Sequence, residues 1–282
     1  MERFKEIFPE TNRPLVSIIV PQYGNHDLTN LCLETLVAML DDRSQVEIIV
    51  VDDASPAIMT PAELEVLTRP MVADRIISLS ERSGFAKACN AGLAVAHGAY
   101  VVFLNNDCQS FRPWVWDIIA PLQERPGVGM VGALLLYPGR TPRRVQHAGM
   151  AFASKSMSLH RFRGKSEDGH GGILRARALQ AVTAACMAMR TEELRALGGF
   201  CEDYKNGFED LDLCFRVRFN LGKLVWYEPE VCLTHIESAT PGRFEHEDSN
   251  GQLFVSRWGD KVIVDSRQLD EADARADEGG GV

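Results

Sequence analysis

The chain has 282 residues, of which 45% are hydrophobic and 24% charged, ordinary proportions for a globular protein long enough to bury a large core. A net charge of −9 argues against a general nucleic-acid binder or a polybasic membrane-surface protein. No apolar leader opens the chain and no apolar run reaches the ~18 residues of a membrane span, so no signal peptide or transmembrane helix is expected.

The polar lead-in 1–14 ends at Pro14. The β-branched run LVSIIVP predicts a buried strand, and LTNLCLETLVAML, apolar at Leu28, Leu31, Cys32, Leu36 and Leu40, predicts a helix. VEIIVVDDAS reads as a second buried strand that ends in two aspartates. TPAELEVLT suits a helix start, with Thr60 as N-cap and Pro61 in the first turn. RIISLS is a third strand, GFAKACNAGLAVAHG a helix stopped by Gly98, and AYVVFLNNDC a fourth strand. This alternation predicts an α/β fold, a single Rossmann-like, mainly parallel sheet flanked by helices on both faces.

After Asp107 the rhythm changes. PWVWDIIAPLQERPG reads as a helix and VGMVGALLLYP as a strand, followed by an irregular excursion from Arg140 to Gln180 rich in Gly, Arg, Ser and His. AVTAACMAMR resumes strand character, TEELRALGG is a short helix, and FEDLDLCFRVRF opens another on three carboxylates. A final helix over EDSNGQLFVSRWGD carries Arg257 and Trp258, which either close over a ligand or pack that helix. The acidic stretch 265–282 is expected to be disordered. The seven cysteines (Cys32, Cys89, Cys108, Cys186, Cys201, Cys214, Cys232) never form a CxxC. Buried, reduced thiols in a cytoplasmic protein are the expectation.

Ligands of an open parallel sheet bind beyond the carboxyl ends of its strands. Two strands end there in polar groups, at Asp52 and Asp53 and at Asn105-Asn106-Asp107. The aspartates either form a turn or accept hydrogen bonds from a base or ribose. The amide and carboxylate cluster is either an Asx turn or a hard-oxygen site for Mg²⁺ or Mn²⁺ bridging phosphates. Tyr23, at the same edge, either stacks on a base or covers the sheet end. Arg82 and Lys87 flank Gly84, where a pyrophosphate could meet backbone and cation, although the loop is neither a Walker loop nor GxGxxG. The excursion holds His147, His160, Arg161, Arg163 and His170, which form either a lid over a site or a solvated surface loop.

In this order, VSIIVPQY, VVDDAS, ERSGFAKACNAG, YVVFLNNDC, GGFCEDY, FEDLDLCFR and LTHIESAT resemble the family 2 inverting glycosyltransferases, especially bacterial polysaccharide-building enzymes that include rhamnosyltransferases. The resemblance covers about residues 15 to 262. It implies a GT-A fold over 15–264, with a nucleotide-sugar-binding half (15–108) and an acceptor-binding half (109–264). It implies Pro21, Tyr23, Asp52, Asp53, Arg82, Gly84, Lys87, Asn105 and Asn106 at the nucleotide, and Asp107 with His235 at a divalent metal, Mn²⁺ or Mg²⁺. Only one carboxylate stands where the family's DXD motif has two. Asp210 falls on the general-base position with Glu209 beside it, and Asp212 is left to cap the helix or pair with Arg216. The implied partners are a dTDP-, UDP- or GDP-linked sugar and a glycan or lipid-linked oligosaccharide acceptor. The implied setting is the cytoplasm or the inner face of the cell membrane, within a larger multidomain protein. Two rivals are a sugar nucleotidyltransferase, which would carry a Gly-rich basic loop after the first strand where VPQYGNHD stands, and a non-catalytic donor-binding module.

Overall fold

A computed structural model describes residues 15–56, 73–139, 141–236 and 245–279. The helix expected from Thr60 and the end of LTHIESAT lie outside these residues. In chain order the elements are β1 (Val16–Gln22), α1 (His26–Ala38), β2 (Val46–Asp52), β3 (Arg75–Ser78), α2 (Phe85–Val95), β4 (Tyr100–Leu104) and β5 (Cys108–Gln109). There follow α3 (Val115–Glu124), β6 (Val128–Leu136), β7 (Val145–His147), β8 (Met150–Phe152), β9 (Ser158–His160), β10 (Arg177–Leu179) and β11 (Cys186–Arg190). The chain continues with α4 (Thr191–Ala196), α5 (Glu209–Asn220), β12 (Leu224–His235), α6 (Glu247–Trp258) and α7 (Ser266–Gly279).

A ten-stranded sheet runs β10-β12-β6-β11-β4-β1-β2-β3, with β5 beside β12 and β7 beside β6. The strands β3, β2, β1 and β4 are parallel, as the alternating sequence predicts. Beyond β4 the sheet is mixed: β11 lies antiparallel between β4 and β6, while β12 runs parallel to β6. Every residue of β1 is buried, because helices cover both faces and leave no polar side. Alternate residues serve two cores. Ile19, Ile49 and Val51 pack with α2 and α5, and Ile18, Val20, Ile48 and Val50 pack with α1 and α3 on the opposite face.

Three expectations are corrected. The sequence reading has no strand between α5 and His235, yet β12 spans twelve residues there. Glu228, Pro229 and Glu230 break its apolar pattern at the same place where its register against β6 shifts. The stretch 265–282 was expected to be disordered, yet Ser266–Gly279 is helical. The helix is held by its buried Asp273, which pairs with Arg161 and Arg177. The Arg140 to Gln180 excursion, expected to be irregular, contains the short strands β7 to β10. All seven cysteines are free, and only Cys201 is not buried. Among the described residues no helix is long and apolar enough to cross a membrane.

Candidate active site

A cavity of about 470 Å³ opens at the carboxyl ends of the parallel strands. Pro21, Gln22 and Tyr23 enter it from the end of β1, Asp53 from the end of β2, and Asn105, Asn106 and Asp107 from the end of β4. Glu209 and Asp210 enter from the start of α5. The two acid-tipped strand ends and the acidic helix start therefore meet in one place.

Asp53 is buried and accepts from two backbone amides, Ser83 N–H at 2.6 Å and Gly84 N–H at 2.8 Å. Its carboxylate holds the loop before α2 against the sheet edge. Gly84 has φ 88°, a left-handed value that favours glycine, and an added Cβ would lie 3.3 Å from Asn206 Oδ1. Arg82 and Tyr23 share the cavity wall, with the guanidinium carbon 4.0 Å from the ring centroid. Asp52 takes another direction. It accepts from Gln22 Nε2 at 3.0 Å and from Ser55 N–H at 3.2 Å and pairs with the Ser55 hydroxyl, closing its own turn away from the cavity lining. Lys87 is exposed on α2 and does not line the cavity.

His235 ends β12, opposite Cys108 of β5, and its Nε2 lies 3.0 Å from Asp107 Oδ1. Asn105 Nδ2 is 3.3 Å from the same nitrogen, and the Nδ1 side of the ring meets Gln146 Oε1 at 2.5 Å. Ligand atoms of Asp107, Cys108 and His235 lie within 4.8 Å of one another. The Cys108 sulfur donates to Ala185 O at 3.5 Å, and burial, with Asp107 and two neighbouring thiols adding to it, pushes the thiol well above its ordinary range. Hard ions such as Mn²⁺ and Mg²⁺ favour oxygen and imidazole donors over sulfur. The usable donors are then a carboxylate oxygen and an imidazole nitrogen beside the Asn105 amide, a set that fits a divalent ion such as Mn²⁺.

At α5, Asp210 Oδ1 accepts from Leu211 N–H at 2.8 Å and Oδ2 from Ala184 N–H at 3.4 Å. Glu209 turns back onto Gly207 N–H at 2.5 Å. Asp212 faces away and is buried. It pairs with Arg216 Nε at 2.7 Å, as the i,i+4 spacing predicts, and accepts from Trp258 Nε1 at 2.9 Å. Trp258 and Arg257 thus pack α6 rather than line the cavity.

The His- and Arg-rich excursion divides. His160 and Arg163 reach the cavity wall with Ser158, and the same three residues line a second hollow of about 560 Å³ against α7. His147 is fully buried, and burial, reinforced by His160 and His235, holds it well below the usual histidine range. Its Nε2 accepts from Thr183 N–H at 3.4 Å and its Nδ1 faces His160 Nδ1 at 2.9 Å. Gln22, Gln146, Thr183 and Asn206 were not legible as site residues, since each is a lone polar residue with no spacing to mark it.

Comparison with known proteins bears out the resemblance. A relative in Sinorhizobium fredii, the uncharacterized protein y4gI, is 32% identical over 254 residues, covering 87% of this chain and 27% of the relative. The O-antigen biosynthesis protein RfbC of Myxococcus xanthus is 31% identical over 245 residues, covering 84% of this chain and 18% of that protein. The chain thus spans about a quarter or less of these relatives. A crystal structure of GalNAc-T7 with UDP, GalNAc and Mn²⁺ superposes with a TM-score of 0.69 at 15% identity, covering 89% of this chain and 49% of that one. It shares the GT-A fold. The family model for glycosyl transferase family 2 matches residues 17–192, which take in the strand ends that line the cavity, and the chain belongs to that family.

Proposed function

We propose that this chain is an inverting hexosyltransferase that moves a sugar from a nucleoside-diphosphate donor to a hydroxyl of a glycan or lipid-linked acceptor. The observation that carries the proposal is the meeting of the Asp210 carboxylate with Tyr23, Asp53, Asn105, Asn106 and Asp107 around one cavity. Tyr23, Arg82 and the loop held by Asp53 receive the nucleotide. Asp107 and His235 would hold a divalent cation, which would supply charge neutralisation to the diphosphate.

In this reading Asp210 takes the proton of the acceptor hydroxyl as its oxygen attacks the anomeric carbon. The new glycosidic bond forms while the bond from that carbon to the diphosphate oxygen breaks, and the nucleoside diphosphate leaves with the electron pair. Attack from the face opposite the leaving group inverts the configuration. The Leu211 and Ala184 amides hold the carboxylate in place. Ser158, His160 and Arg163, which the cavity shares with the hollow under α7, form the acceptor's side.

The test supplies UDP-, GDP- and dTDP-sugars with Mn²⁺ and measures release of the nucleoside diphosphate with water as acceptor. One donor class is expected to turn over. Asp210→Asn is expected to slow release by about 10²- to 10⁴-fold while nucleotide affinity stays within a few-fold. Undiminished turnover in that variant sinks the assignment of the base, and no release from any donor favours a binding module.

A further inference from the structure

Gln146 bonds His235, which meets the cavity-lining Asp107, and this carries a consequence for His235. In β7, Leu135 of β6 pairs with His147 and Leu136 pairs with Val145, so Gln146 is left unopposed as a bulge. A bulge re-aims a side chain, and here the amide reaches across to the end of β12. It bonds residue 235 twice. Gln146 Nε2 donates to the His235 backbone carbonyl at 3.0 Å, and Gln146 Oε1 lies 2.5 Å from His235 Nδ1. Both residues are buried, at 3% and 4% exposure, so water does not replace either partner.

The first of these bonds fixes the second. A backbone carbonyl can only accept, so the amide nitrogen must face it and the amide oxygen must face Nδ1. That oxygen can only accept in turn, so the hydrogen sits on Nδ1. In the neutral ring Nε2 then carries the lone pair, 3.0 Å from Asp107 Oδ1. A lone pair and a carboxylate oxygen set face to face repel unless a proton or a cation lies between them. The Asn105 amide, 3.3 Å from Nε2, is placed to donate to the same lone pair.

We infer that Gln146 is a positioning residue for a divalent-cation site, its amide holding the His235 imidazole with Nε2 turned as a ligand toward Asp107. The inference rests on the reading of Asp107 and His235 as metal ligands and adds the group that orients one of them, a role outer-shell partners play at imidazole sites. The sequence offers no cue to it, because the contact joins residues 89 apart in the chain.

The experiment measures Mn²⁺ binding to the full chain, with the metal alone, from the free-ion electron paramagnetic resonance signal. Gln146→Leu is expected to raise the Kd for Mn²⁺ by about 10- to 100-fold. Gln146→Glu, which keeps an oxygen opposite Nδ1, is expected to stay within about a few-fold of wild type. An unchanged Kd in Gln146→Leu, with binding lost in His235→Ala, overturns the role of Gln146 and leaves the metal reading standing. Unchanged binding in Asp107→Ala and His235→Ala overturns the metal reading and Gln146 with it. A measurement on the unaltered protein needs no folded variant: long-range ¹H–¹⁵N spectra of the histidine rings, with His235 assigned by its loss in His235→Ala. A hydrogen on Nδ1 of His235 is expected, and a ring carrying it on Nε2 alone overturns the proposal.

Discussion

Asp53 joins two parts of the molecule through one carboxylate. Its oxygens take the amides of Ser83 and Gly84, so the loop that brings Arg82 over Tyr23 is anchored at the end of β2. Removing it leaves two N–H groups without partners, at about 1–3 kcal/mol each when no water reaches them. Asp53→Ala is therefore expected to lower stability by about 2–4 kcal/mol in denaturant unfolding and to weaken nucleotide binding. Asp52→Ala should lower stability alone, since Asp52 turns away from the cavity. Equal losses of nucleotide affinity in the two variants would contradict this division. The sequence shows the pair of aspartates and the strand they end. Which of the two faces the cavity depends on residues 83 and 84, some thirty positions further on.

The start of α5 is made by backbone that most residues avoid. Asn206, Gly207 and Phe208 have φ of 53°, 154° and 70°, and a non-glycine residue held there costs about 1–3 kcal/mol. The turn persists because its neighbours grip it. Asn250 of α6 accepts from Lys205 N–H at 3.2 Å and donates to Lys205 O and Gly207 O at 3.0 and 2.9 Å. Phe254, one turn along α6, lies 5.8 Å ring to ring from Phe208. α6 thus sets the position of the proposed base without touching the cavity through Asn250. Asn250→Ala is expected to reduce turnover by about 10- to 100-fold, the scale of a 1 Å displacement, with nucleotide affinity held within a few-fold. Donor turnover and calorimetric nucleotide binding measure the two effects, and full turnover in a destabilised variant would leave Asn250 a folding residue only. The helix and the Asp212–Arg216 pair are legible in the sequence, because both are local patterns. The left-handed turn is not, because Phe208 is an unlikely residue for it and its support comes from α6.

At the scale of the whole molecule, the half of the sheet from β3 to β4 was legible and the half beyond β4 largely was not. β1, β2 and β4 are largely apolar runs of five to seven residues, whereas β7 to β10 have three residues each and owe their existence to partners elsewhere in the chain. α7 is the extreme case. Its composition is that of a solvated tail, and its place is set by Asp273 meeting Arg161 and Arg177, 112 and 96 residues away. Burial alone would raise the Asp273 carboxyl, but hydrogen bonds from Arg177 and Arg161 outweigh it and hold the group below the usual range. Its folded pKa thus lies under its unfolded value of about 3.9. The stabilisation is complete above that value and is lost as pH falls through the folded one. Acid below about pH 4 should therefore free α7 from the loop after β9, and Asp273→Asn should show the same loosening at neutral pH. Hydrogen exchange over residues 266–279 reads both, and unchanged protection in the variant would mean that the ion pairs do not hold the helix.

The sheet also divides the molecule's tolerance of change. The layer of α2 and α5 and the layer of α1 and α3 are separate cores that share one wall of backbone, and substitutions without common neighbours act independently. The turn that carries Asp210 belongs to the first layer, through Tyr204, Leu211 and Phe254. A repacked Leu33 or Ile118 on the other face disturbs its own layer and reaches the base only through the strands between. One layer thus carries the proposed base, while the other touches the site at the end of β4, through Thr29 and Cys32 of α1 on Asn106 and Asn105.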